Sequence, residues 1–329
     1  MNKEKIHVGV VGAGEHGRNH ARQYRSIEGA ELVGIYDLRE DRRREAAEEF
    51  GVTAFGSLDQ LWQAVQAASI VIPTTDHAVV ARQALTSGVD ILLEKPITRT
   101  LEEADEIVQL AAARRRVLQV GHVERFNPGV VAARSVTLNP LFFEIHRLGV
   151  FSPRSLDVDV VFDLMIHDLD LVLWMTQSSV RDVRAVGLPV LSDKVDIANA
   201  RVEFESGAVA NLTASRVSTE KVRKFRYFQP HEYLSIDFTR RDVLVVNVEQ
   251  GMDSPQIGFR NLPTQPAEPL HAELEAFLES VRSRRPPLVD GVEGRKALAL
   301  ATQVMNRIQE HAEHVNLRLI QPPGRSGES

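Results

Sequence analysis

Cysteine is absent from all 329 residues, which excludes a disulfide scaffold and any thiolate metal site. Aromatic residues make up only 6% of the chain, too few to suggest a stacking platform for single-stranded nucleic acid. Long apolar runs are also missing: none approaches the length that spans a bilayer. Met1-Asn2-Lys3-Glu4-Lys5 leads straight into a strand-like run rather than into a signal peptide. Nor is there an excess of basic charge. Lys and Arg number 39 against 45 Asp and Glu, a net charge of -6, which argues against a general nucleic-acid binder. No repeat, low-complexity tract or metal-spaced His/Glu cluster is read from the chain, so no metal is expected. What remains is expected to be a soluble cytoplasmic protein, long enough for two domains with sizeable cores.

Ile6-His7-Val8-Gly9-Val10-Val11 reads as a strand, and it runs directly into Gly12-Ala13-Gly14-Glu15-His16-Gly17. A helical stretch follows to about Ile27, the context in which G-x-G-x-x-G marks a dinucleotide site. Gly12 permits the tight turn, Gly14 the close approach of a pyrophosphate, and Gly17 the close packing of helix on sheet. Phosphates would sit on free N–H groups at the helix start, where the macrodipole favours negative charge. Glu15 and His16 belong to the same turn and are cofactor candidates with it. Asp37 ends the next strand, 20 residues past Gly17, where an acid binds the adenine ribose hydroxyls and repels a 2′-phosphate. NAD is therefore expected over NADP. Arg39, Arg42, Arg43 and Arg44 follow closely, as either a phosphate site or a solvated helix face.

The alternation continues with helix 39–50, strand 52–55, a helix capped by Ser57, and strand 69–72. Pro73-Thr74-Thr75-Asp76-His77 then opens a helix ending near Gly88, and helix 100–115 and strand 117–120 close the series. Such alternation implies a doubly wound parallel sheet, an α/β fold. The organising stretch is Ile91-Leu92-Leu93-Glu94-Lys95-Pro96: a buried strand that breaks off in a charged pair and a proline. Lys95 is thus set at the carboxyl end of the sheet, where open α/β sheets bind ligands. An ammonium there is poorly screened and stabilises negative charge or handles protons. A lone lysine is otherwise a solvated loop residue. Pro73, Thr74, His77 and Glu94 fall on the same cofactor side.

With the glycine fingerprint, Asp37 and Glu94-Lys95-Pro96 all in place, the chain resembles the Gfo/Idh/MocA oxidoreductases over nearly its whole length. The resemblance implies a Rossmann domain over 1–121 and an α+β domain with a large, mostly antiparallel sheet over 122–321. The C-terminal helices of the latter return to the first domain, and 322–329 should fray. It implies that Lys95 is catalytic and touches both cofactor and substrate, with a cis bond to Pro96. It also implies that Asp163 and His167, four residues apart in the helix-length run Val160 to Trp174, complete the site. A carboxylate beside an imidazole raises its pKa and fixes its orientation, as general-base chemistry near neutral pH needs. D-x-x-x-H alone also fits a packed or capping histidine.

Gly121-His122-Val123-Glu124-Arg125-Phe126-Asn127-Pro128 resembles the branch of the family that includes UDP-N-acetylglucosamine 3-dehydrogenases, which makes Arg125 and Asn127 substrate candidates. Asn127-Pro128 also reads as a helix start, and Glu124 with Arg125 as a surface charge pair. Residues 141–148 alternate like a half-buried strand. In it and the loop 151–160, Arg147 and Arg154 are candidates to clamp a diphosphate, or else structural ion-pair partners. From Val180 strands dominate: 180–190, 196–205, 208–216, 221–228, 233–238 and 242–248, with Ser206-Gly207 as a hairpin turn. Residues 251–269 read as a long surface connection, and helices 270–283 and 293–312 follow. The expected function is NAD-dependent oxidation of a ring secondary hydroxyl on a sugar nucleotide, foremost the 3-hydroxyl of UDP-N-acetylglucosamine. The alternatives are an inositol or free-sugar dehydrogenase, and an NAD-binding sensor or scaffold without turnover. No nucleic-acid or membrane partner is expected. Family resemblance implies a homodimer or homotetramer through the open face of the large sheet.

Overall fold

The computed structural model describes residues 5–151, 158–240, 242–250 and 255–315. Short apolar runs form the first sheet, from β1 (Ile6–Val11), β2 (Ala30–Tyr36), β3 (Thr53–Ala54), β4 (Ala67–Ile70), β5 (Asp90–Glu94) and β6 (Leu118–Gly121). The order is β3-β2-β1-β4-β5-β6 and every pairing is parallel. Between them run α1 (Glu15–Ser26), α2 (Glu40–Phe50), α3 (Leu58–Ala64), α4 (Thr74–Thr86) and α5 (Leu101–Arg114). Helices on both faces bury β5 along its whole length, which is why its sequence is a run rather than an alternation. The strand expected over 69–72 lies two residues earlier, because Pro73 and Thr74 already turn the chain into α4. Strand order reverses between β1 and β4, the switch point where such sheets take ligands.

Two helices from the far end of the chain join this sheet, α8 (Pro269–Ser283) and the beginning of α9 (Gly291–His314). Leu270, Leu274, Phe277, Leu278 and Val281 of α8 share one core with Tyr24 of α1 and with β1 and β2. One compact unit accordingly takes in residues 1–126 and 267–298, and the other 127–266 with the part of α9 from Ala299.

The second unit is built on β7 (Phe142–Val150), β8 (Val180–Leu188), β9 (Ile197–Phe204), β10 (Val209–Ser218), β11 (Val222–Gln229), β12 (Glu232–Asp237), β13 (Asp242–Gln250) and β14 (Pro255–Asn261). The order is β14-β13-β12-β11-β7-β10-β9-β8. All pairs are antiparallel except β7 with β10. Burial alternates along the strands, so one face is core: Phe143, Ile145, Leu212, Phe225, Tyr227 and Leu234 are buried. The helix α6 (Pro128–Val136) covers part of that face. Its Gly129 sits where a Cβ would come within 3.2 Å of Ile236, and the Tyr227 hydroxyl and Thr137 Oγ1 are hydrogen-bonded at 2.6 Å.

Two expectations are corrected here. The stretch 251–269 carries β14, paired along β13 as the edge of the sheet. Its apolar residues Ile257 and Phe259 are 68% and 69% exposed, and Pro255, Gly258 and Arg260 interrupt the pattern, so no core signal marked it. The run 160–174 is not α-helical throughout. It opens with a π turn (Val161–Met165) and continues as α7 (Ile166–Thr176). Such turns are rare and recur at functional sites.

Buried Asp196, between β8 and β9, ties this end of the sheet together. Its carboxylate accepts from the N–H groups of Val190 (2.8 Å), Leu191 (2.6 Å) and Ser192 (2.9 Å) and from the Ser192 hydroxyl (2.7 Å). Arg216 Nε on β10 donates to it at 2.8 Å. Burial alone would raise the carboxyl pKa. Those donors outweigh burial and hold the group well below the usual carboxylate range.

Candidate active site in the first unit

Each glycine of the β1–α1 turn is required for a different reason. Gly12 has φ +102, and a Cβ on it would lie 2.0 Å from the Val71 carbonyl oxygen. A Cβ on Gly17 would lie 1.9 Å from the Gly12 carbonyl oxygen. At Gly14 no protein atom lies within 4 Å of that position. The fold therefore does not demand Gly14, and the space beside it is open to a ligand. Gly14 caps α1 without a side-chain hydrogen bond, and Glu15 begins the helix. An anion laid on this helix start would meet backbone N–H groups and the positive end of the helix dipole, which fits the pyrophosphate of a dinucleotide.

Asp37, just past β2, is fixed beside the same turn. Its Oδ2 accepts from Ala13 N–H at 2.7 Å and its Oδ1 from Arg39 N–H at 2.8 Å. Three of the four arginines nearby are paired, Arg39 with Asp41, Arg44 with Glu40, and Arg43 donating to the Asp37 carbonyl at 3.0 Å. Gly12, Asp37, Leu38, Pro73 and Val79 line a cavity of about 380 Å³ at the carboxyl ends of β1, β2 and β4, and Arg39 and Arg42 reach its wall. Pro73 caps α4 and Thr74 is its first residue. This cavity suits the adenosine half of a dinucleotide, with the Asp37 carboxylate set against a 2′-phosphate. Replacing Asp37 by serine is expected to lower the preference for NAD over NADP at least tenfold, read as the ratio of kcat/KM values, because a like-charge clash of this kind is worth several kcal/mol.

Lys95 follows the last residue of β5, and the Lys95–Pro96 bond is cis. Two groups hold this turn. One is Glu94, whose buried carboxylate Oε2 accepts from Lys95 N–H at 3.2 Å. His16 Nε2 and His20 Nε2 both donate to its Oε1, at 3.1 Å and 3.2 Å. A Cβ on Gly121 would lie 2.7 Å from Oε1, so this carboxylate needs glycine opposite it on β6. Behind it, His20 Nδ1 lies 3.1 Å from Ser69 Oγ, and the Tyr24 hydroxyl lies 2.8 Å from the same oxygen. The bond to Glu94 raises the His16 pKa, whereas burial lowers that of His20. Burial would raise Glu94, but the two imidazoles outweigh it and hold it well below its usual value.

The other group is His77, fully buried on α4. Its Nδ1 lies 2.9 Å from the Pro96 carbonyl oxygen and its Nε2 2.9 Å from that of Ile72. Burial lowers its pKa, and a neutral ring donates to one of these carbonyls, which makes His77 a brace between the turn after Lys95 and the end of the loop before α4.

His16, His20 and Glu94 bring three ligating atoms within 4.8 Å of one another. His16 and His20 stand four apart on α1, and Glu94 reaches them from the end of β5, 74 residues beyond His20. The hydrogen bonds among them make the group a hub directly behind Lys95.

In the second unit, Asp163 lies in the π turn and His167 near the start of α7, both half-buried. Asn127 caps α6, its side chain accepting from Gly129 N–H at 3.0 Å, with Pro128 at the first helical position. The other substrate candidates are placed differently. Arg147 is buried and forks onto Asp168, with Nε 2.8 Å from Oδ2 and Nη2 2.7 Å from Oδ1. It is a structural ion-pair partner rather than an open phosphate clamp. Arg125, in the first unit, is buried on the 3-10 turn Val123–Phe126 and donates to Glu293 at 3.0 Å, not to a surface neighbour. Arg154 lies outside the described residues.

Residues 6–122 match the oxidoreductase family with an NAD-binding Rossmann fold, and 142–230 match the GFO/IDH/MocA C-terminal domain. This chain belongs to the Gfo/Idh/MocA oxidoreductase family and binds NAD through its first unit. It is 42% identical over 302 residues to a UDP-N-acetylglucosamine 3-dehydrogenase of Acidithiobacillus ferrooxidans, covering 91% of this chain and 96% of the relative. A solved structure of that organism's enzyme superposes with a TM-score of 0.88 at 40% identity, over 93% of this chain and 98% of the other. A myo-inositol 2-dehydrogenase of Thermotoga maritima is 26% identical, covering 93% of this chain and 97% of the relative.

Proposed function

We propose that this protein oxidises the 3-hydroxyl of UDP-N-acetylglucosamine with NAD. The observation that carries this reading is the end-to-end identity of 42% to an enzyme named for that reaction. Glu94-Lys95-Pro96, Asp163 and His167 stand beside it as the residues the chemistry needs. Bound NAD supplies the hydride acceptor. In this reading His167 takes the hydroxyl proton and Asp163 orients its ring. The Lys95 ammonium steadies the charge that gathers on the substrate oxygen as the proton leaves. Asn127 and Arg154 are kept for the sugar nucleotide, since Arg147 and Arg125 already have carboxylate partners, Asp168 and Glu293.

Incubation with NAD and UDP-N-acetylglucosamine, free N-acetylglucosamine or myo-inositol, followed by NADH absorbance, tests the proposal. NADH should form fastest with the nucleotide sugar. Faster turnover of inositol or the free sugar would move the assignment toward the Thermotoga relative, and no NADH with any of the three would leave a cofactor-binding sensor.

A cytoplasmic location belongs to the same proposal. Among the described residues no helix is long and apolar enough to cross a membrane. Self-association through the open face of the large sheet is also proposed. On that face Val209, Phe142, Phe228, Tyr233, Val246 and Phe259 stand in register across six adjacent strands. Phe142, Phe228 and Tyr233 stack at 5.6 Å and 4.9 Å between centroids, yet Phe228 is 37% and Phe259 69% exposed. An apolar row of this kind marks an association surface. A double variant, Phe228→Lys with Phe259→Lys, should elute as a monomer by light scattering while the wild type does not. A wild-type monomer would dispose of this part of the proposal.

A further inference from the structure

The hydrogen bonds behind Glu94 have one consistent direction. A carboxylate only accepts, so His20 Nε2 must carry a proton to bond Glu94 Oε1 at 3.2 Å. A fully buried imidazole with one carboxylate partner stays neutral, and its Nδ1 is then an acceptor. Ser69 Oγ, 3.1 Å away, must donate to it. The Tyr24 hydroxyl, 2.8 Å from Ser69 Oγ, must in turn donate to that oxygen. Tyr24, Ser69 and His20 are all buried, so no water competes for these places.

We propose that Tyr24, Ser69 and His20 are a directed relay that positions Lys95 by fixing the ionised Glu94 carboxylate, with His20 the residue that matters most. The relay rests on the reading of Lys95 as catalytic. It works through geometry: Glu94 Oε2 receives the Lys95 N–H at 3.2 Å, so rotation of the carboxylate moves the backbone that carries the ammonium. Displacement of a reacting group by about 1 Å can cost roughly a hundredfold in rate. Such a shift is opposed by the two imidazoles that donate to Oε1. The titratable groups facing Glu94 are His16 and His20 from α1, His77 from α4 and Lys95 from its own chain end, while Glu15 faces His16 and the buried Glu273 of α8 faces Tyr24. Of these, His16 is open to solvent and His20 is not, so His20 is the donor that solvent cannot replace.

The test uses the full-length protein and three variants, His20→Ala, His20→Gln and Lys95→Ala. His20→Ala should lower kcat roughly tenfold to a hundredfold and move the acid limb of the kcat profile to higher pH, because Glu94 loses a donor that favours its charged form. His20→Gln restores an N–H toward Glu94 and should return the acid limb to its wild-type position. Independently of activity, nitrogen NMR of the His20 ring should show the Nε2–H tautomer, unchanged across the neutral range. A fall in Tm with an unchanged pH profile, or an Nδ1–H or doubly protonated His20, overturns the relay. An inactive Lys95→Ala beside an unimpaired His20→Ala overturns the relay alone. Near-normal turnover in Lys95→Ala overturns the site and the relay together.

Discussion

Lys95→Ala is expected to cut turnover by roughly a hundred- to a thousandfold, about 2.7–4 kcal/mol of lost transition-state stabilisation. The side chain follows the last residue of a fully buried strand, on a turn held by Glu94 on one side and His77 on the other. An ammonium carried on a turn so held has less to reorganise as charge develops, and that is where electrostatic catalysis gains most. The loss should fall on kcat more than on NAD affinity, since the pyrophosphate end of the cofactor is served by the Gly12–Gly17 turn. Fluorescence titration with NAD beside steady-state rates separates the two. Lys95→Arg should recover little, because a planar fork does not substitute for a compact ammonium. A variant that binds NAD and still turns over at near the wild-type rate would remove Lys95 from the mechanism.

The second large effect is on stability. Asp196→Ala should destabilise the protein by about 3–5 kcal/mol, the usual result of removing one partner from a buried ion pair. Arg216 would be left buried with its Nε unpaired from the carboxylate, and three N–H groups of the turn at 190–192 would lose their acceptor. The pH dependence follows from the lowered carboxyl pKa. Asp196 contributes its full stabilisation above the unfolded carboxylate value of about 3.9, and that contribution disappears as the pH falls toward the lower folded value. Urea melts of wild type and variant should therefore differ most near neutrality and converge in acid. Equal midpoints at neutral pH would show that the turn does not depend on this carboxylate.

What could be read from the chain and what could not divide along a physical line. Gly12, Gly14, Gly17 and Asp37 were legible because the turn they form is local, with a steric reason for Gly12 and Gly17 and a hydrogen bond tying Asp37 back to it. The break of β5 into Glu94-Lys95-Pro96 was legible because a buried strand seldom ends in charge. Of the two readings open for Arg147, clamp or ion-pair partner, the chain could not choose, because Asp168 lies 21 residues on and which acid an arginine meets across a strand and a helix is a property of packing. The same holds for Arg125 and Glu293. The π turn at 161–165 carries no periodic signature that separates it from an α-helix over five residues. His20 was passed over although its spacing from His16 on α1 was visible. Ser69, 49 positions away, was not a partner that spacing could suggest.

The order of strands in the large sheet has a consequence for synthesis. β7 lies in the middle of that sheet and is flanked by β10 and β11, yet it leaves the ribosome ahead of both. Until those strands exist, two rows of backbone donors and acceptors on β7 have no mates, while β8 and β9 are made in the interval. Chain closure over such separations is slow. A nascent polypeptide stopped short of β10 therefore exposes the future centre of its sheet, the state in which a chaperone would be needed most.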